Sequence, residues 1–318
     1  IEEILPEDLK KEGSTTTSAS VLYDILRKLK SNSKVELSLQ NLNKIKLVSE
    51  NSKFNLLCLP SDNFPLSEED IKQKSFEISS QKLLKLLNKT KISISNDETR
   101  HYLNGIYLHK VKLEDKSFLC GVATDSHRLS SSSLEIDSSI DLEPIILPKK
   151  TIFQLISLLE QNSSPIKISN SKSKIKFEMT DGVLISKVID GRFPDYTKVI
   201  PKDNDKVLEM KLDEFKNSIE RVTTVSSDRK EGLKISITKD SVQLAVNNPS
   251  SGEGIENVNA KFNSSDLNIS FNSRYLTDIA SQIENESIII NLKDAGSPAL
   301  INDFSDKNSF HVVMPMKI

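Results

Sequence analysis

Apolar and polar positions alternate with two different periods along this chain. At helical spacing the apolar residues recur in five runs: Ser20–Lys34, Ser80–Lys91, Lys149–Gln161, Lys211–Arg221 and Asn272–Glu284. In the first run Leu22, Ile25, Leu26 and Leu29 fall at i, i+3, i+4 and i+7, which is one face of a helix. The runs begin 60, 69, 62 and 61 residues apart, so the pattern predicts a repeating unit. Between them, period-two alternation predicts half-buried strands at Val35–Leu39, Ile45–Val48, Ile166–Ile168, Ile175–Met179, Leu233–Ile237 and Ser287–Leu292. Each unit is one helix with about four antiparallel strands, an α+β arrangement.

A second marker recurs at twice that period. Asn63-Phe64-Pro65, Arg192-Phe193-Pro194 and Val313-Met314-Pro315 each close a strand run, and their prolines lie 129 and 121 residues apart. Two units thus make one domain of roughly 125 residues. Polar joins at Leu66–Ser75 and Ile200–Lys206 divide the chain into a partial N-terminal domain at 1–73, a middle domain at 74–203 and a C-terminal domain at 204–318. Five helices at two per domain leave one missing. Extrapolating the spacing backwards puts its segment before Ile1, with roughly 50 residues absent.

Charge refines this picture. The chain has 318 residues, 43 Lys plus Arg and 45 Asp plus Glu, a net charge of −2. That balance argues against a compact, tightly gripping nucleic-acid reader but allows a basic inner surface offset by an acidic outer one. The five helical runs together carry 14 Lys or Arg against 7 Asp or Glu. The excess is greatest at Arg27, Lys28, Lys30 and Lys34, then at Lys82, Lys85, Lys89 and Lys91. A solvated helix surface would account for any one of these helices. A bias shared among repeats predicts an electropositive side that meets phosphates without reading sequence. Cys58 and Cys120 sit in apolar runs without metal-ligand spacing, so neither a disulfide framework nor a metal is implied. No apolar run reaches the roughly 18 residues of a membrane span, and a reducing cytoplasmic setting fits. The acidic Ile1–Ile4 start is no signal peptide, and it lacks Met.

Catalytic chemistry finds little support. Asp125, Ser126, His127 and Arg128 hold the residue types of an acyl-transfer triad. Adjacent residues on a strand or turn point apart, however, and cannot form its hydrogen-bond chain. There are four histidines, His101, His109, His127 and His311, and no Gly-rich phosphate loop or nucleophile elbow. No cofactor is implied.

Four segments carry a resemblance. They are Arg100–Gly105 (RHYLNG), Val122–Leu129 (VATDSHRL), Ile189–Tyr196 (IDGRFPDY) and Val312–Ile318 (VVMPMKI). In this order and spacing they resemble the signature segments of the bacterial DNA polymerase III beta subunits, the beta sliding clamps. The likeness runs over the whole chain and lacks the family's first 50 or so residues. It implies the DNA-clamp fold: three similar domains, with helices lining a ring that encloses duplex DNA and sheets forming the outer wall. It implies a head-to-tail homodimer that catalyses nothing and confers processivity. Partners would be the replicative polymerase, the clamp loader, and other polymerases and repair proteins with a clamp-binding motif.

Carried over residue by residue, the resemblance implies a hydrophobic peptide pocket between the second and third domains. Its residues would be Tyr102, Leu103, Thr124, His127, Arg128, Leu129, Pro194, Lys198, Val199, Asn272, Tyr275, Val312, Met314, Pro315 and Met316. Met and Leu suit a groove that takes many ligands. DNA contact falls to Tyr102 and the loop before it, and to Lys149 and Lys150, with Lys82 and Lys85 from the basic helices. The dimer contact falls to Lys53 and Phe54 on one side, and on the other to Thr224 and Val225 flanked by Glu253 and Glu256. Two positions depart from the family. Ser126 stands where Gly is usual, which predicts strain if φ is positive there. Lys198 replaces a common Arg, losing bidentate contact. A repeat scaffold that binds peptides without DNA is the alternative reading.

Overall fold

The computed structural model describes residues 6–41, 43–64, 75–180, 182–226 and 232–317. The described residues form two compact units, 6–64 and 75–317. Pro65, the Leu66–Ser75 join except Ser75, and the boundary at 73/74 lie outside the described residues, as does Ile318. Among the described residues no helix is long and apolar enough to cross a membrane.

The smaller unit holds β1 (Thr16–Thr17), α1 (Ala19–Leu26), β2 (Glu36–Asn41), β3 (Lys44–Ser49) and β4 (Ser52–Leu59). Its antiparallel sheet has the order β1-β4-β3-β2. Alternation turns Leu47, Leu56 and Cys58 inward, while Leu37, Leu57 and Leu59 stay exposed. Helix α1 is capped by the Ser18 hydroxyl, which accepts from the Val21 amide. It ends at Leu26, eight residues before the predicted Lys34. Farther on, Asn32 takes a positive φ of 64°, which no helix reaching Lys34 could pass through. Arg27, Lys28, Lys30 and Lys34 therefore follow the helix rather than line it.

In the larger unit, β5 (Phe76–Ile78) and α2 (Ser80–Lys91) are followed by β6 (Gly105–Leu113), β7 (Lys116–Thr124), β8 (Arg128–Ile136) and β9 (Ile145–Pro148). Then come α3 (Lys149–Gln161), β10 (Ile166–Asn170), β11 (Lys174–Met179) and β12 (Gly182–Lys187). Helices α2 and α3 occupy the predicted bounds. Their faces, including Leu83, Leu86, Leu87, Ile152, Leu155 and Leu159, are fully buried against Ile106, Leu119, Ile168 and Phe177. Each such leucine contributes roughly 2 kcal/mol by leaving water.

The same unit continues with β13 (Lys206–Lys211), α4 (Leu212–Val222), β14 (Gly232–Ile237), β15 (Ser241–Asn248), β16 (Gly252–Phe262) and β17 (Leu267–Asn272). It closes with α5 (Ser273–Ala280), β18 (Ser287–Leu292), β19 (Ala299–Asp303) and β20 (Asp306–Val313). Phe215, Ile219, Val222, Leu276 and Ile279 from the two helices pack on the strands in a separate core. Helix α5 stops short of the predicted Glu284. Ile283 keeps the apolar spacing and is buried, but from the loop after the helix.

Two cores do not mean two sheets. Strand β20 pairs antiparallel with β8 from Val313↔Arg128 to Ser309↔Ser132. That seam makes one twelve-stranded sheet of order β17-β14-β15-β16-β13-β18-β19-β20-β8-β7-β6-β9. A four-stranded sheet, β12-β11-β10-β5, accompanies it.

Candidate functional site

The turn between β7 and β8 sits at the end of the seam. Asp125 Oδ1 accepts from the amides of His127 and Arg128, each at 3.0 Å. Thr124 Oγ1 donates to the Arg128 carbonyl at 2.7 Å and accepts from the Ser126 amide at 3.1 Å. These bonds force Ser126 to φ +79°, where a side chain costs roughly 1 kcal/mol. The strain foreseen for that position is therefore present. Arg100 Nη1 donates to the Ser126 hydroxyl at 2.6 Å, so this serine faces an arginine and not His127. The buried Ser130–His311 pair, 2.8 Å apart, is the nearest thing to a Ser–His couple. Burial pushes His311 down to about 3.

Arg128 fastens this turn to α5. Its Nε donates to Asp125 Oδ2 at 3.1 Å and its Nη1 to Asp278 Oδ2 at 2.7 Å. The guanidinium also lies 4.3 Å from the centre of the Tyr275 ring. The chain beyond β20 then crosses the turn. The Met314 amide donates to the His127 carbonyl at 2.9 Å, and the Met316 amide to the Ser270 carbonyl on β17 at 2.7 Å.

An apolar cluster lies beneath. Leu103, Val122, Leu129, Ile146, Phe193 and Val312 are buried in it, with Tyr102 packed alongside. Leu103, Leu129 and Val312 are thus buried, while Val199, Met314 and Met316 remain exposed. Pro194 and Lys198 lie on the segment after β12. Lys198 pairs with Asp195 at 3.4 Å and is 79% exposed. Asn272 acts on the helix instead, where its Oδ1 caps α5 by accepting from the amides of Arg274 and Tyr275.

Sequence reasoning missed what holds the 189–199 segment in place. Phe193 stacks on Tyr107 with centroids 4.9 Å apart, and Tyr107 stacks on His109 at 4.4 Å. His109 Nε2 lies 3.0 Å from the Tyr196 hydroxyl. Burial pushes His109 down to about 4, so the ring is neutral near pH 7. The signal that could have found them was two aromatic residues spaced i, i+2 on one strand face, Tyr107 and His109. Gly191, at φ +150°, lets the segment pass Tyr102, whose Cβ would lie 3.1 Å from a side chain added there.

Farther along the seam the contacts are polar. Lys89, predicted to face outward, is 3% exposed. Its ammonium lies 3.0 Å from Glu284, 3.7 Å from Asp303 and 4.0 Å from Asp306, and it donates to the Gln282 carbonyl. Lys85 meets Glu284 at 3.0 Å and Asp306 at 3.2 Å. Ser309 Oγ donates to Ser132 Oγ at 2.9 Å and lies 3.1 Å from Asp306. A cavity of about 390 Å³ lies between α4 and α5, lined by Glu220, Thr223, Ser273, Arg274, Thr277 and Asp278.

The basic coat is narrower than the sequence suggests. Lys82 and Lys150 are exposed, Lys149 donates to Asn96, and Lys85 is held by two carboxylates. Helix α4 carries Asp213, Glu214 and Glu220 against Lys216 and Arg221. Arg221 is itself held by Glu256, which also accepts from Ser218 at 2.8 Å. Glu256 is thus bound within its own chain rather than left as a free rim charge. Glu253 is exposed. Strand β16 pairs with β15 over Gly252–Asn259 but with β13 only over Ala260–Phe262. Among the described residues, one edge of its first residues therefore lacks a strand. Strand β4 meets β1 only at Cys58 and Leu59, so among the described residues an edge is open at Lys53 and Phe54.

Profiles described as the N-terminal, central and C-terminal domains of the DNA polymerase III beta subunit match residues 1–68, 77–195 and 197–317. A protein named beta sliding clamp from Caulobacter vibrioides is 34% identical over 308 residues, covering 96% of this chain and 83% of the relative. Among solved structures, a Bartonella birtlesii sliding clamp bound to griselimycin superimposes with a TM-score of 0.94 at 39% identity, over 98% of this chain and 84% of the other. The Pseudomonas aeruginosa DNA polymerase III beta subunit gives 0.93 at 30% identity, over 100% and 86%.

Proposed function

The chain belongs to the DNA polymerase III beta subunit family, the beta sliding clamps, and is a non-catalytic processivity clamp of DNA replication; from that premise we propose how its own residues carry the role. Partner proteins dock a short apolar segment in the groove over Leu103, Leu129 and Val312, between Tyr102, Val199, Met314 and Met316. The Met314–His127 bond carries this reading, because it brings the segment holding Met314 and Met316 onto the β7–β8 turn. Thr124, Arg128, Asn272 and Tyr275 support the groove by fixing its turn and helix. His127, Pro194, Pro315 and Lys198 border it.

Duplex DNA passes Lys82, Lys149, Lys150 and the turn bearing Tyr102, met through phosphates and not base edges. Lys85 contributes less, since Glu284 and Asp306 offset its charge. The open edges of β4, at Lys53 and Phe54, and of β16, at Glu253 beside Thr224 and Val225, pair between two copies to form the homodimer. Domains meet at 73/74 and 203/204, and the protein works in the cytoplasm, with the DNA it encircles. Family membership displaces the alternative of a peptide scaffold without DNA.

The deciding experiment is topological. The assembled protein, loaded by its loader, is expected to stay on nicked circular DNA and to leave after linearisation. Equal retention on both would refute encirclement.

A further inference from the structure

Helix α3 turns one large apolar residue away from the core. Ile152, Leu155, Ile156 and Leu159 are buried at helical spacing, while Phe153 falls off that stripe and is 47% exposed. In α2 to α5 every other leucine, isoleucine, valine and phenylalanine is at least partly buried. The Phe153 ring therefore adds little to the fold. Cations flank it. The Lys149 ammonium lies 6.0 Å from the ring centre and also donates to Asn96. Lys150, three residues before Phe153 and so on the same face, is exposed. Gln154 and Ser157 extend that face without charge. The helix's one carboxylate, Glu160, lies two turns further on, about 10 Å along the axis.

We propose that Phe153 is a stacking platform for an unpaired DNA base, so that this face holds the place where duplex gives way to single strand. The proposal rests on the reading that DNA passes Lys149 and Lys150. A phosphate held by these lysines brings its own nucleotide towards the ring. Within a duplex the bases are already stacked on one another and offer no face to a surface that meets phosphates. An unpaired base does offer one, and an aromatic side chain takes it whatever the sequence. Such a contact suits a surface that reads no base edges. A protein partner fits less well, because one ring between two lysines lacks the apolar core of an interface.

The test measures binding of fluorescein-labelled DNA hairpins to the assembled protein by anisotropy at low salt. Three hairpins share one duplex. The first is blunt, the second carries a single-stranded thymidine tail, and the third carries the same tail without its bases, which keeps the phosphates. The thymidine tail is expected to bind about fivefold tighter than the abasic tail, the low end for one stacked base. Phe153→Ala brings that ratio to about one through weaker binding of the thymidine tail. Phe153→Tyr keeps the ratio, so a general defect from changing this position cannot imitate the result. A ratio of one in the parent, or a ratio that survives Phe153→Ala, would overturn the proposal and leave the DNA reading standing. If Lys149→Glu with Lys150→Glu binds the blunt hairpin as the parent does, the DNA reading itself falls, and this proposal with it.

Discussion

Replacing Lys89 by Met tests the seam between β8 and β20 most directly. Methionine keeps the length and apolar stem of lysine and removes only the charge. The loss leaves Glu284, Asp303 and Asp306 facing one another with Lys85 as their sole cation among the described residues. Removing one member of a buried ion pair costs about 3–5 kcal/mol. Glu284 is half exposed, so water screens its share and the expected loss is about 2–3 kcal/mol. For a unit of this size that lowers the melting temperature by roughly 5–10 °C. The dependence on pH fixes the cause. Burial pushes both carboxyls up. The Lys85 and Lys89 ammonium groups beside Glu284 outweigh this, as do the Glu284 amide and Ser305 beside Asp303, and both carboxyls are held below their usual range. A carboxyl lowered by folding stabilises above its unfolded value near about 4 and loses that stabilisation as pH falls through the folded value. The gap between parent and Lys89→Met should therefore be widest near neutral pH and close towards about pH 3. Adding Asp303→Asn should recover part of it. Circular-dichroism melts across that range decide the matter. An unchanged melting temperature at neutral pH, or a gap that widens in acid, would refute the reasoning.

Other outcomes follow from the same geometry. Tyr196→Phe removes the hydroxyl beside His109 and should lower stability by about 1 kcal/mol in denaturant unfolding. His109 has its folded value pushed below the unfolded one, so its neutral form stabilises above about pH 6.5 and that stabilisation is lost as pH falls towards about 4; His109→Gln should flatten this part of the stability profile. Deleting Met314–Ile318 removes the bonds to His127 and Ser270 and should abolish binding of an apolar clamp-motif peptide, while sedimentation still reports the dimer. Lys149→Glu with Lys150→Glu should slow loading onto DNA at low salt and leave peptide titration unchanged; equal loading rates would count against the basic face.

Much of the fold was legible because helices α2 and α3 bury an uninterrupted apolar stripe, and their bounds follow from it directly. The first and fifth runs misled for two reasons. In the first, the periodicity ran on to Leu29 although the helix ends at Leu26, and Asn32 turns the backbone before Lys34. In the fifth, Ile283 satisfies the helical spacing from a loop, since burial counts only where a side chain ends up. Strands β6 to β8 gave little alternation. Both of their faces are covered, and the serines of Arg128–Ile136 hide a strand behind polar letters. Lys89 was counted with the outward basic residues because its carboxylate partners lie about 200 residues along the chain, at a distance no local pattern registers. Of the proposed groove, the residues in contiguous motifs could be named from the sequence. The supports Tyr107, His109 and Asp278 could not, since they matter through partners far off in sequence.

Because β8 and β20 share five consecutive residue pairs, the middle and C-terminal parts of the chain cannot hinge against each other as two blocks on a flexible strap. Bending at that point would break a run of main-chain hydrogen bonds together, so the soft deformation available is a gentle torsion spread over many strands. A surface that spans such a joint keeps one contour, so the docking proposed above asks for no rebuilding between one occupant and the next.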